Sequence, residues 1–245
     1  MVSKNQIKLI TSLQQKKFRI VHQLFIAEGV KVIQELLQSN FVLDHLFVSD
    51  NIFPEVDSSQ KTFLNEQNLK KISALATASS CLAVFKIPKE KAVLTSGLIV
   101  ALEDIRDPGN LGTIIRLCDW FGIKQVLCSK ETVDVYNPKV VQATMGSISR
   151  VNVSYLDLKN SISQSELPVF GTFMDGKNVY REDLPTEGIL VFGNEANGIS
   201  EELEKLISNR IAIPRFGDIQ KTESLNVATA TAIFLSEFSR NSSEM

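Results

Sequence analysis

The chain is organised around the stretch Asp107-Pro108-Gly109-Asn110-Leu111-Gly112-Thr113-Ile114-Ile115-Arg116, which follows an apolar segment at 98–102. Pro108-Gly109 is typical of a tight turn, because proline restricts φ and glycine accepts a positive φ. We expect Asn110 to cap the helix that follows, since its side-chain oxygen can accept a free N–H of the first turn. Over 111–121 the apolar side chains recur at the spacing of a helix with one buried face. The stretch therefore predicts a strand–turn–helix unit.

The same alternation of strands and helices continues to the end of the chain. The patterns predict strands at 98–102, 125–128, 151–155, 168–173, 189–192 and 210–213. They predict helices at 111–121, 138–147, 158–164, 200–208 and 224–239. Apolar strands that alternate with helices indicate an α/β domain with a mostly parallel sheet covered on both faces. Such sheets bind ligands outside the carboxyl ends of their strands.

The first part of the chain has a different organisation and predicts a small α/β domain over 1–88. Its patterns favour helices at 5–16, 30–37, 61–65 and 69–76, and strands at 41–48 and 81–85. Residues 89–97 are polar and follow Pro88, so we interpret them as a linker. The second domain then covers 98–245. Both lengths are usual for independent domains.

The charge of the whole chain gives no argument for nucleic acid, because the net charge is −2 and the isoelectric point is about 5.8. The first 40 residues nevertheless carry a local excess of basic side chains. Such an excess fits a solvated helix face, and it equally fits contact with a phosphate backbone. The residues that we predict to contact RNA are Lys4, Lys8, Lys16, Lys17 and Arg19.

Several kinds of site are disfavoured by the residues present. The three cysteines form no C-x-x-C pair, and we expect them to be small buried side chains in a reducing compartment. His22 and His45 have no metal-binding spacing, so we expect no metal site. The fingerprints G-x-G-x-x-G, G-x-x-x-x-G-K-S/T and G-x-S-x-G are absent. Without a signal peptide or an apolar run of about 20 residues, we expect a cytoplasmic protein.

Three polar segments follow predicted strands and should meet at one edge of the sheet. The first is the opening stretch, in which Arg116 lies six positions after Asn110 and so on a different helical face. The second runs from Leu190 to Ser200 and contains Gly193-Asn194-Glu195. The third is Ile213-Pro214, followed by a loop and Ser224-Leu225-Asn226, where we expect Ser224 to cap the last helix.

Together these segments resemble the motifs of the SpoU-type branch of the SPOUT RNA methyltransferases, in TrmH-like members. Asn110-x-Gly112-x-x-x-Arg116 is similar to the first motif, Val191 to Glu195 with Gly198-Ile199 to the second, and Ile213-Pro214 with Ser224 to Val227 to the third. Residues 139–147 resemble the small-residue helix between them. Residues 1–88 resemble the ribosomal-protein L30-like domain that binds substrate in such enzymes.

The resemblance implies a trefoil knot in the second domain, bound S-adenosylmethionine, and a homodimer whose active site uses both subunits. It implies methylation of a ribose 2′-hydroxyl in RNA, with ribosomal RNA favoured. The catalytic residues that it implies are Asn110, Arg116, Glu195, Ser224 and Asn226. The residues that it implies for cofactor binding are Thr144, Met145, Gly193, Ile213 and Leu225.

Arg116 corresponds to the catalytic arginine of the family, but a guanidinium stays protonated in proteins and is a poor base. We therefore expect Arg116 to hold an RNA phosphate and to stabilise the developing alkoxide, with its geometry set by Asn110 and Glu195. The chain departs from the usual pattern at Ala196, Asn197 and Arg215, and in the loop 217–223. These departures concern the shape of the cofactor pocket.

Other functions stay open at this point. The chain could be a transfer RNA 2′-O-methyltransferase or a catalytically silent RNA-binding SPOUT protein. The presence of Asn110, Arg116, Glu195 and Asn226 favours an active enzyme. A base methyltransferase is a further alternative, against which the Ser224-Leu225-Asn226 signature argues by analogy. An unrelated nucleotide-binding α/β enzyme is the remaining one.

Overall fold

A computed structural model describes residues 2–218 and 224–240. The helices in chain order are α1 Lys4–Ser12, α2 Lys16–His22, α3 Val30–Leu37, α4 Glu66–Ile72, α5 Pro108–Trp120, α6 Pro138–Thr144, α7 Leu158–Ser163, α8 Glu201–Glu204 and α9 Val227–Arg240. The strands are β1 Leu24–Glu28, β2 Leu43–Val48, β3 Lys61–Phe63, β4 Cys81–Lys86, β5 Leu98–Leu102, β6 Gln125–Cys128, β7 Asn152–Tyr155, β8 Val169–Asn178, β9 Gly188–Phe192 and β10 Asn209–Ala212.

The contacts divide the chain into two compact units. The first unit contains the residues up to 90 together with 134–149, and the second contains 91–133 and the residues from 150 onward. The segment 134–149 thus lies with the first unit, whereas we expected it in the second domain. The physical reason is that α6 packs against β1, where it buries Val140 and Val141.

The first unit is built on a four-stranded sheet in the order β1-β4-β2-β3. β4 pairs antiparallel with both β1 and β2, and β2 pairs parallel with β3. One local prediction was wrong here. The helix predicted at 61–65 is β3, which is recruited into the sheet by pairing with β2. Gln23, with φ of +53°, separates α2 from β1.

The second unit is a six-stranded sheet in the order β10-β8-β9-β5-β6-β7. Every neighbouring pair in it is parallel. The predicted α/β class with a parallel sheet is therefore confirmed, and the six predicted strands lie within a few residues of the observed ones, except that β8 extends to Asn178. The strand order brings the carboxyl ends of β5 and β9 side by side, which positions the first two polar segments. The trefoil knot stays a prediction.

The start of α5 differs from the prediction in a way that matters for the site. Asp107 is the cap, because its Oδ1 accepts a hydrogen bond of 2.8 Å from the backbone N–H of Asn110. Pro108 occupies the first turn, where a missing N–H costs nothing. Asn110 therefore lies inside the helix and its side-chain amide is not used for capping.

The start of α9 also differs. The helix begins at Val227, so Ser224 is too far from it to act as the cap. Instead, Oδ1 of Asn226 accepts hydrogen bonds from the backbone N–H groups of Ala228 and Thr229, at 2.9 and 3.2 Å. This bonding is the usual role of an asparagine cap. It also orients the Asn226 amide, whose Nδ2 points away from the helix.

The three cysteines are all buried. Cys81, Cys118 and Cys128 are buried free thiols, as expected from their spacing. Burial raises the pKa of Cys118 and of Cys128 far above the usual value, so both stay protonated. Within 2–218 and 224–240, no helix has the length and apolar character required to cross a bilayer.

Candidate active site

Three side chains from the three polar segments form one chain of hydrogen bonds. Nδ2 of Asn226 donates to Oδ1 of Asn110 at 2.9 Å, and Nδ2 of Asn110 donates to Oε1 of Glu195 at 2.9 Å. Because Oδ1 of Asn226 caps α9, only its Nδ2 is left to bond Asn110, and the donor and acceptor of both hydrogen bonds are thereby determined. The start of α9 therefore orients the Asn110 amide so that its donor faces the Glu195 carboxylate.

The loop that carries Glu195 is held by its neighbour Asn194, which sequence reasoning did not single out. Nδ2 of Asn194 donates to the backbone oxygen of Asp104 at 2.8 Å, and Oδ1 accepts from the N–H groups of Ala196 and Asn197. The Asn194 backbone also pairs with that of Gly198 in both directions, at 2.9 and 3.0 Å. The unusual Ala196 and Asn197 thus contribute only their backbone groups to this turn.

Gly193 has a steric role in the same loop. A Cβ placed on Gly193 would lie 2.1 Å from the carbonyl carbon of Gly198 and 2.2 Å from the nitrogen of Ile199. No side chain fits there, so the glycine allows the loop to fold back on itself. The backbone of Gly198 and Ile199 occupies the space that a Gly193 side chain would need. Contact between Gly193 and the cofactor stays a prediction.

Arg116 is not part of the hydrogen-bonded chain. It lies on the exposed face of α5, opposite the buried Ile114 and Ile115. Within the described part of the protein, its guanidinium has no hydrogen-bond or ion-pair partner. The structure thus brings together Asn110, Glu195 and Asn226 of the five residues predicted as catalytic. Arg116 and Ser224 are exposed, and among the described residues neither forms a hydrogen bond with these three.

Apolar surface suited to a purine lies in the third segment. Leu225 leaves 47% of its surface exposed two residues before the buried start of α9, and Ile213 is half-buried after β10. Exposed apolar side chains beside backbone polar groups are typical of small-molecule sites. Ile213 and Leu225 thus offer apolar surface that an adenine ring could contact, and their contact with the cofactor stays a prediction. The loop 219–223 lies outside the described residues.

The two other residues predicted to bind the cofactor belong to the first unit. Thr144 is fully buried, and its hydroxyl donates to the backbone oxygen of Val141 at 2.8 Å. Met145 is partly exposed and ends α6 in the left-handed conformation, with φ of +51°. Of these two side chains, only that of Met145 offers accessible surface to a ligand.

The residues predicted to contact RNA divide in the same way. Lys4, Lys8, Lys16 and Lys17 are all exposed on α1 and α2. Arg19 is only 2% exposed, and its guanidinium is bonded to Asp134 and to the backbone oxygens of Leu13 and Gln14. The prediction that Arg19 contacts RNA is therefore wrong, because its side chain is buried and its Nε and both terminal nitrogens donate within the first unit.

Two models of known protein families match this chain. The model of the SpoU rRNA Methylase family matches residues 97–236, and the model of the MRM3-like substrate binding domain matches residues 4–83. The chain belongs to the SpoU rRNA methylase family, whose members are methyltransferases that use S-adenosylmethionine.

Named relatives include two rRNA methyltransferases. RlmP of Bacillus subtilis, the 23S rRNA (guanosine(2553)-2'-O)-methyltransferase, is 29% identical over 241 residues, which cover 95% of this chain and 96% of RlmP. The mitochondrial rRNA methyltransferase 3 of Xenopus laevis is 35% identical over 161 residues, which cover 60% of this chain and 38% of that protein.

Solved structures of the same fold include a Porphyromonas gingivalis protein assigned to the TrmH family of RNA methyltransferases. It has a TM-score of 0.89 at 38% identity, covering 98% of this chain and 99% of that one. An rRNA methyltransferase from Sinorhizobium meliloti with bound S-adenosylmethionine has a TM-score of 0.85 at 27% identity, covering 98% and 97%. The expected family and fold are thereby confirmed.

Proposed function

We propose that this protein transfers a methyl group from S-adenosylmethionine to a ribose 2′-hydroxyl of ribosomal RNA in the cytoplasm. The observation that carries the proposal is the pair of hydrogen bonds that runs from Asn226 through Asn110 to Glu195, each with a determined direction. It joins the three motifs at the carboxyl edge of the parallel sheet, where such folds bind their ligands.

Ribosomal RNA is favoured over transfer RNA by the relatives. RlmP, which matches nearly the whole chain, is named for action on 23S rRNA. The first unit matches a substrate-binding domain and exposes Lys4, Lys8, Lys16 and Lys17, which can neutralise backbone phosphates. The first unit would therefore hold the RNA.

The cofactor supplies a methyl group on a positively charged sulfur, which is a good electrophile. Ile213 and Leu225 would hold its adenine ring through apolar contact. The protein then needs only to align the 2′-hydroxyl for in-line attack and to manage one proton.

Glu195 and Arg116 would have different electrostatic roles, with Glu195 holding the guanidinium and Arg116 binding the RNA. The carboxylate of Glu195 receives one hydrogen bond from Asn110 at Oε1, and its Oε2 accepts none from the described residues. That oxygen is suited to accept from a guanidinium. An Arg116 held in this way would bind a phosphate of the RNA and stabilise the alkoxide as it forms, since it cannot serve as a base.

The homodimer would complete this arrangement. Among the described residues of a single chain, Arg116 forms no hydrogen bond with Asn110, Glu195 or Asn226, so an Arg116 from a second copy could supply a guanidinium to Glu195. Trp120 lies one turn further along the same helix and is 84% exposed, which is unusual for tryptophan unless a partner covers it. The exposed face of α5 would therefore contribute to the dimer interface.

The reaction is tested with isotopically labelled S-adenosylmethionine and unmodified total RNA, followed by digestion to nucleosides and mass spectrometry. Label in a 2′-O-methylnucleoside supports the proposal. Label on a base would overturn the reaction type, and absence of label despite measured cofactor binding would favour a silent RNA-binding protein. Separating ribosomal from transfer RNA before digestion decides between the two substrates.

The shared site is tested by mixing two inactive variants, Arg116→Ala and Asn226→Ala, after partial unfolding and reassembly. If each site uses Arg116 of one copy and Asn226 of the other, mixed dimers contain one complete site and the mixture regains about a quarter of the native activity. If both residues act within one chain, mixed dimers again contain no intact site. Mixing each variant with itself is the control.

A further inference from the structure

Arg106 is an exposed arginine just before the first polar segment, and the protein uses only part of its guanidinium. Its Nε donates to Oδ1 of Asp104 at 2.8 Å, and 73% of its side chain is exposed. Neither terminal nitrogen has a hydrogen-bond partner among the described residues. These two nitrogens carry most of the N–H donors of a guanidinium, in a planar fork that matches two oxygens of a phosphate. The free end of Arg106 is therefore suited to an anionic ligand.

Asp104, the partner of Arg106, is itself held at several atoms. Its backbone oxygen and its Oδ2 accept from Nδ2 of Asn194, at 2.8 and 3.3 Å, and its backbone N–H donates to Oγ of Ser129 at 3.0 Å. Asp104 also has φ of +54°, a left-handed conformation that is uncommon for residues other than glycine. Such conformations persist where the surrounding contacts determine them, and they concentrate at ligand sites. Asp104 thus presents a fixed carboxylate oxygen to Arg106.

Stability alone does not explain this arrangement, because an ion pair with so exposed a partner contributes little to folding. Arg210, in the same unit, shows the contrast. Its two terminal nitrogens donate to Asp175 and to Glu204, so the protein itself occupies that fork. In Arg106 the protein binds Nε and leaves the fork open. A guanidinium that is fixed at its inner nitrogen and open at its outer ones is prepared for a ligand.

Arg106 belongs to the surroundings of the candidate active site within the second unit. Asp104 bonds to Asn194, the neighbour of Glu195 in sequence. The hydrogen bond and the charge of Asp104 raise the pKa of Arg106, and the charge of Glu195 acts in the same direction. The four residues from Arg106 to Asn110 span at most about 14 Å. Phosphates recur at shorter intervals along a nucleic-acid strand, so a strand with a ribose at Asn110 carries phosphates past Arg106.

We propose that Arg106 binds a backbone phosphate of the RNA beside the methylated ribose, through both of its terminal nitrogens, and that Asp104 is the positioning residue for this guanidinium. The inference deepens the proposed function and rests on it, since RNA is the substrate of the same site. Phosphate contacts fix the register of a nucleic acid on a protein and carry no sequence information directly. Arg106 would therefore place the ribose, whereas Arg116 keeps its proposed role toward the alkoxide.

The experiment compares the native chain with Arg106→Gln, using ribosomal RNA from cells that lack the gene. Filter binding is measured with S-adenosylhomocysteine, which has no methyl group to transfer, so binding is separated from turnover. We expect the Kd for RNA to rise about tenfold in the variant, because hydrogen bonds to a charged group are lost. The slope of log K against log salt should fall in magnitude by about 0.7, as for one phosphate contact to single-stranded RNA. In turnover, KM for RNA should rise while kcat stays nearly unchanged.

The matched control is Arg210→Gln, which removes the same charge from the second unit at a fork that the protein already occupies. It should leave the Kd and the salt slope for RNA unchanged. Arg106→Lys keeps the charge but lacks the fork, so its salt slope should be native while its Kd stays raised. A merely structural role of Arg106 would lower the melting temperature of Arg106→Gln and leave the salt slope at its native value.

The outcomes separate this inference from the proposed reaction. A native Kd and slope in Arg106→Gln, or an equal effect of Arg210→Gln, overturns the phosphate contact even if the enzyme methylates RNA. Native affinity in Arg106→Lys overturns the contact through two nitrogens. If Arg106→Gln weakens RNA binding but the native protein transfers no methyl group, the reaction alone is overturned. Failure of the native protein to bind RNA would overturn both.

Discussion

Nδ2 of Asn226 donates to Oδ1 of Asn110 across 116 positions of sequence, at a distance of 2.9 Å. The bond has only one possible direction, because Oδ1 of Asn226 already accepts from the first turn of α9. Asn110 must therefore present its own Nδ2 to Glu195. A helix cap thus orients a carboxylate of the candidate active site.

The variant Asn226→Asp tests this relationship directly. The new carboxylate would still cap α9, but it would have no donor for Oδ1 of Asn110. The Asn110 amide would turn over and present its oxygen to Glu195, which disfavours the present position of that carboxylate. A misplacement of about 1 Å costs about 100-fold in rate, so we expect kcat for RNA methylation to fall by about that factor.

The control for this variant is its thermal unfolding. Because the cap is kept, the melting temperature of Asn226→Asp should stay close to that of the native protein. A native kcat in the variant would contradict the assigned direction of the bonds. A large loss of stability would show instead that the helix cap itself was damaged.

Gly193→Ala should destabilise the second unit. The added Cβ would overlap the backbone of Gly198 and Ile199, which belongs to the same loop and cannot move away alone. Overpacking of this kind costs about 1–3 kcal/mol, and we expect the upper end because the overlap is with backbone. Urea unfolding measures the loss.

Gly217→Ala is the matched control, since nothing lies within 4 Å of a Cβ at that position. Its free energy of unfolding should change by less than about 0.5 kcal/mol, as for most exposed substitutions. Equal stability of Gly193→Ala and the native protein would show that the turn from Gly193 to Gly198 is not required.

Removing Lys16 and Lys17 together should weaken RNA binding and reduce its salt dependence. Each lysine that neutralises a phosphate of single-stranded RNA contributes about 0.7 to the slope of log K against log salt. The double alanine variant should therefore lower the magnitude of this slope by about 1.4. Filter binding at several salt concentrations measures it.

Lys159→Ala is the comparison for the lysine variant, because Lys159 is exposed in the second unit and pairs with Glu202. We expect it to leave the slope unchanged. A double variant at Lys16 and Lys17 with the native slope would remove α2 from the proposed RNA surface.

Glu28 should make stability depend on pH. Burial raises the pKa of its carboxyl, although hydrogen bonds from Ser73 and from the Ala74 N–H oppose this. The folded state thus binds the Glu28 proton more tightly than the unfolded chain, in which the pKa is about 4.3. The free energy of unfolding therefore falls as the pH rises from about 4.3 through the folded value.

Glu28→Gln removes this titration and keeps an oxygen that can accept from Ala74. We expect the free energy of unfolding of the variant, minus that of the native protein, to increase as the pH rises from about 4 to about 7. The reason is that the loss of stability from the Glu28 titration occurs only in the native protein. Urea unfolding at both pH values measures the difference. The opposite trend would mean that the hydrogen bonds to the carboxylate outweigh its burial.

Local patterns were sufficient for most elements of the second unit. The apolar runs at 98–102 and 125–128 are strands with those bounds, and the periodicity of α5 placed its buried face correctly. These features depend on a few adjacent residues, since the helix and strand periods are local properties of the backbone. The caps were less well predicted, because Asp107 and Asn226 compete with nearby Asn110 and Ser224.

The sequence by itself determined the family, the parallel α/β class and the three motifs, because each of these depends on residues that lie close together in the sequence. Only the tertiary structure decided which of those residues meet. Asn110 reaches Glu195 over 85 positions, and Arg19 is buried by Asp134 over 115 positions. Such contacts depend on strand order and on the packing of 134–149 with the first unit, which no local pattern specifies. Arg19, which is close in sequence to the exposed Lys16 and Lys17, is therefore buried and bonded within the first unit.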